Sequence, residues 1–156
     1  MKTQGTRLVV HVVSCDAKII GSLVGGCRIT VRDCQTGDVL ARGIHEGGSG
    51  DTESIMKQPP QRGRARFDTP GTASFCVELR IDRPTLVEVA AEGPLAFPAS
   101  MQRASATTWL IPGRHMEGDG LVLQLYGFIV GIMTPTPADV YQPQAEVDLR
   151  AHVHLL

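Results

Sequence analysis

Aromatic residues are scarce in this 156-residue chain, which has one Trp, two Tyr and four Phe. That scarcity leaves little material for the stacking platforms that hold single-stranded nucleic acid. A surplus of either charge is missing as well: 15 Lys+Arg stand against 16 Asp+Glu, for a formal net charge of -1. With no broad basic field, nucleic acid is not an expected partner. Long hydrophobic runs are absent too. The longest, 121–133 (LVLQLYGFIVGIM), is interrupted by Gln124, Gly127 and Gly131 and is too short to cross a bilayer, so no membrane span is expected. The first 18 residues lack the apolar core of a secretory signal, which makes a cytoplasmic location the default expectation, with extracellular or periplasmic placement left open. The four cysteines, Cys15, Cys27, Cys34 and Cys76, form no C-x-x-C pair and no zinc-ribbon spacing. A chain of this length builds a core without staples, so they read as structural, unreactive thiols.

Glycine, proline and period-two alternation are plentiful. The 17 Gly and 10 Pro suit a turn-rich β protein, and no helical periodicity or internal repeat competes with that reading. Residues 7–14 read as a central strand, apolar on both faces apart from His11. In 27–33, Cys27, Ile29 and Val31 point one way and Arg28, Thr30 and Arg32 the other, before a turn at 35–38 and a hairpin partner at 39–44. Residues 45–72 are irregular, with room for a short helix near 51–57. Further strands are expected at 73–81, 85–91, 105–111, 120–126, 128–133 and 145–155, and the Pro-rich 134–144 reads as an extended connector. The expectation is one all-β domain over 1–156, a two-sheet antiparallel β-sandwich. Its expected core comprises Val10, Val12, Ile29, Val31, Phe75, Val77, Leu79, Val87, Val89, Leu123, Leu125, Phe128 and Val130.

Four phrases within 19–93 carry a family resemblance. They are Gly21–Val31 (G-x-x-V-G-G-x-x-I-T-V) with Asp33, then Thr36-Gly37-Asp38-Val39-Leu40-Ala41, then Asp68-x-x-Gly71-x-x-x-Phe75, then Pro84–Gly93. This stretch resembles the transthyretin-like, or carboxypeptidase-regulatory-like, β-sandwich domains. The resemblance implies a transthyretin-like or Ig-like sandwich over 1–93, extended by C-terminal strands over 94–156. It also implies the work such modules commonly do, as accessory, adhesion or assembly parts. A fold by itself supplies no function.

Candidate sites are few. His45, Glu46, Asp51 and Glu53 sit in a Gly-rich segment, and Glu117 and Asp119 in a second one. Carboxylates beside exposed carbonyls suit a cation such as Ca²⁺, and sandwich-end loops suit a glycan, if the two segments converge. His152 and His154, alternate residues of one strand, can turn both imidazoles toward one metal ion. Arg62, Arg64 and Arg66 form a possible anion comb. No phosphate loop, nucleophile elbow or readable triad is present, so no catalytic residue and no cofactor is expected, and a hydrolase would need His45 or His115 beside a nucleophile. Val122, Ile129 and Met133 fall opposite the expected core and imply a covering surface. The resulting expectation is a non-enzymatic structural or accessory module that self-associates or docks in a larger assembly. The alternative is a ligand-binding module for a glycan or metal ion.

Overall fold

Alternation of β-branched residues with polar ones favours strands that cover a core with one face and meet water with the other. The computed structural model, which describes residues 3–16 and 18–156, shows nine such strands among those residues. They are β1 (Gln4–Val13), β2 (Cys27–Asp33), β3 (Val39–Ser49), β4 (Thr72–Ile81), β5 (Thr85–Gly93), β6 (Gln102–Leu110), β7 (Met116–Gln124), β8 (Phe128–Thr134) and β9 (Arg150–Leu155). The expected short helix is a single wide turn at Glu53–Lys57.

Seven strands join in the order β6-β5-β2-β3-β4-β1-β7, and β8 and β9 form a separate two-stranded sheet. The all-β expectation holds, but the pairing differs from two antiparallel sheets. The large sheet is continuous, mixed because β1 and β7 run parallel, and nearly closed into a barrel. Its halves are joined by a short β3–β4 ladder at Glu46↔Ser74 and Gly48↔Thr72. Ile29, Val31, Val87 and Val89 from one half therefore share a core with Leu8, Val10, Val12, Phe75 and Leu123 from the other. Gly43 is required where the Phe75 ring lies against β3, because an added Cβ would collide with that ring.

Two expectations need correction. Strand β3 continues to Ser49, so His45 lies in a ladder opposite Cys27 and not in a loop. In β8 the phase is reversed: Ile129 is 2% exposed, whereas Phe128 and Val130 are 58% and 52% exposed. The inward parity of Leu123 and Leu125 simply continues through Gly127 to Ile129, which packs in the core cluster with Leu156. Both parities of 128–133 are apolar, so the pattern alone did not choose between them. Val77 is partly buried, and the other ten expected core residues are buried.

Candidate functional site

The second Gly-rich segment is tied to residues 66–67, outside the first. Asp119 accepts backbone N–H bonds from Arg66 (2.7 Å) and Phe67 (2.6 Å), which pins the 66–67 turn against β7. Those donors occupy the carboxylate that a cation would need. Glu117 pairs with Arg7 at 2.8 Å, Glu53 with Lys57 at 2.7 Å, and Asp51 accepts from the Ser54 N–H at 3.2 Å. Glu46 is exposed on β3 opposite Ser74. Among the described residues, no group of three or more His, Cys, Asp or Glu is placed to hold a metal ion.

His45 is the most constrained polar side chain in the core. Its Nε2 accepts the Val12 N–H at 3.0 Å and its Nδ1–H donates to the Ile20 carbonyl at 3.1 Å, which fixes one neutral tautomer. Burial, and then the neighbouring His11, depress its pKa from 6.5 to about 4. His11 Nδ1–H donates to the Ala73 carbonyl at 3.0 Å, and His115 Nδ1 accepts from the Arg7 N–H at 3.0 Å. The backbone thus occupies both nitrogens of His45 and Nδ1 of His115, the two histidines a hydrolase would have drawn on. Burial also pushes the Cys27 thiol up to about 12, so it packs as an inert small hydrophobe; Cys15, Cys34 and Cys76 are exposed free thiols.

His152 and His154 share a face as their spacing required, with ring centroids 5.2 Å apart. His154 also stands edge-on to Phe97 at 6.4 Å, and its Nδ1 is buried without a hydrogen-bond partner. His154 turns toward the body and lines a pocket of about 110 Å³ with Ile20, Gly48, Ile129 and Leu156, while His152 is exposed.

The opposite face of that hairpin is apolar and uncovered. The register pairs Phe128 with Leu155, Val130 with Val153 and Ile132 with Ala151. Phe128, Val130, Ile132, Val153 and Leu155 are all between 41% and 65% exposed. Met133 is 64% exposed and Val122 37% exposed, whereas Ile129, expected beside them, is buried. Residues 136–149, joining β8 to β9, are exposed throughout.

A second surface escaped sequence reasoning. On the outer face of β6-β5-β2-β3, the register sets Arg103, Glu92, Arg28 and Ile44 in one row and Ser105, Ala90, Thr30 and Arg42 in the next. All but Ser105, together with Arg32 and Glu88, line an open groove of about 530 Å³. Arg103 reaches Glu88 at 3.0 Å and Glu92 at 3.9 Å, and Arg28 reaches Glu92 at 3.5 Å. Hydrogen bonds from Arg103 and Ser105 hold the Glu88 carboxyl below its ordinary range. Four guanidinium groups against two carboxylates leave the groove with a positive excess. The alternation of Arg28, Thr30 and Arg32 was legible in the sequence, but their meeting with Arg42 and Arg103 depends on the strand order.

Comparison with protein-family models, with curated proteins and with solved structures returns no match. No helix among the described residues is long and apolar enough to cross a membrane.

Proposed function

We propose that this chain is a non-enzymatic structural or accessory module, built on a sandwich-like β body, that self-associates through its C-terminal hairpin. One observation carries the reading: three successive cross-strand pairs of β8–β9 turn Phe128/Leu155, Val130/Val153 and Ile132/Ala151 to solvent. A two-stranded hairpin is marginal in water and normally turns its apolar side inward. Full burial of a Val, Leu, Ile, Met or Phe side chain removes roughly 60–120 Å² from water. At their fractional exposures, Phe128, Val130, Ile132, Met133, Val153 and Leu155 leave on the order of 200–400 Å² uncovered, an apolar patch comparable with the largest on an ordinary monomer, which is often functional. Both strands also present unpaired edges, which invite strand addition.

Light scattering after size exclusion tests the reading on the full chain and on a variant carrying Val130→Thr, Ile132→Thr and Val153→Thr, changes that keep β-propensity. The full chain is expected to form larger species as its concentration rises, and the variant to remain monomeric with an unchanged β signal in circular dichroism. A full chain that stays monomeric at every concentration would overturn the proposal.

A further inference from the structure

The arm and the groove carry opposite charges. Between β8 and β9, residues 135–149 hold Asp139, Glu146 and Asp148 and no Lys, Arg or His. Three of the chain's 16 acidic residues thus sit on one exposed connector while all 15 Lys+Arg lie elsewhere. The connector also exposes Val140, Tyr141, Val147 and Leu149. The groove answers both features. Arg28, Arg32, Arg42 and Arg103 supply the positive excess, and Ile44 (41% exposed) lines its floor. Trp109, 53% exposed, continues the outer face along β6. No salt bridge among the described residues engages Arg32 or Arg42, although Arg32 donates to the Gly37 carbonyl.

We infer that the acidic connector of one copy seats in the arginine-lined groove of a second copy of the same chain. The inference rests on the self-association proposed above and specifies its geometry. Guanidinium forks bind carboxylates in a bidentate manner, and the connector, exposed and shaped by turns at 137–138 and 143–144, presents its carboxylates to solvent where an open sheet face can take them. Connector and groove are different patches, so the contact closes as a two-fold dimer when each copy's connector seats in the other's groove, and otherwise runs head to tail into a ring or a filament. The apolar face of β8–β9 then lies along the neighbour toward Ile44 and Trp109, while the charges fix the register.

Charge exchange in the full chain tests this. One variant carries Arg28→Glu and Arg42→Glu, and a second carries Asp139→Lys, Glu146→Lys and Asp148→Lys. All five positions are exposed, so circular dichroism should match the parent. Each variant alone is expected to associate at least tenfold more weakly by sedimentation equilibrium, and an equimolar mixture of the two to associate again. Arg42→Gln should give a smaller loss. Association of the parent should weaken between low and high salt. Association that survives both reversals unchanged would overturn the groove contact while leaving the apolar arm standing. Reversals that weaken association without recovery on mixing would overturn the pairing of these two patches. Tight binding of inorganic phosphate to the groove with no effect on association would assign the groove to a small anion and overturn the inference. A parent that never associates would overturn both proposals.

Discussion

In the seven-stranded body, alternation sends Ile29, Val31, Val87 and Val89 inward and Arg28, Thr30, Arg32 and Glu88 outward. In the β8–β9 hairpin the same alternation sends Phe128, Val130, Ile132, Val153 and Leu155 outward and tucks Ile129 and His154 toward the body. The period is identical and the polarity is inverted. A strand buries whichever face has something to lie against. In the body the opposing half-sheet supplies that cover, whereas the hairpin has only a small contact at its base. Its apolar side is left exposed. Under the proposed self-association the arm would gain its cover from a second copy, whereas the body draws its cover from within one chain.

Core truncation should separate the regions most sharply. Phe75→Ala, in the body, is expected to cost about 3–5 kcal/mol in urea unfolding, because a ring packed on Gly43 leaves a cavity. Phe128→Ala, at 58% exposure, should move monomer stability by less than about 1 kcal/mol. A large loss at Phe128 in dilute protein would mean that the hairpin face is already covered within one chain.

Acid should act on the body. The unfolded imidazole of His45 titrates near 6.5 and the folded one at about 4, so the unfolded chain binds the proton first. Stability should therefore fall as pH drops from about 6.5 to about 4 and level off below, by about 3 kcal/mol in all. The slope should disappear in His45→Gln, which denaturant midpoints across that range would show. Next in size is Asp119→Ala, which strands the Arg66 and Phe67 N–H groups; calorimetry should record a loss of about 1–3 kcal/mol. Smallest is Glu117→Gln, which removes an exposed ion pair with Arg7 worth at most about 1 kcal/mol.

Strand content and most of the core were legible because a single apolar parity in 27–33, 73–81 and 85–91 leaves one phase that keeps polar groups wet. The phase of β8 was not, because Phe128, Ile129, Val130, Ile132 and Met133 are apolar on both parities. The reach of β3 was hidden by Gly47 and Gly48, which read as loop, and so His45 was placed in a site when it is a core tie. The role of Asp119 was not legible, because the Arg66 and Phe67 N–H groups that occupy it lie 53 and 52 residues away along the chain. The arginine groove draws on four strands brought together by non-local pairing, and no window of sequence contains it.

Hydrogen exchange as a function of concentration tests the central contrast most directly. Amides of β1, β2, β4 and β5 should exchange slowly and equally in dilute and concentrated protein, since their ladders are internal to one chain. Amides of β8 and β9 should exchange quickly in dilute protein and become protected as concentration rises. Protection of the hairpin that is already complete in the dilute monomer would contradict the account.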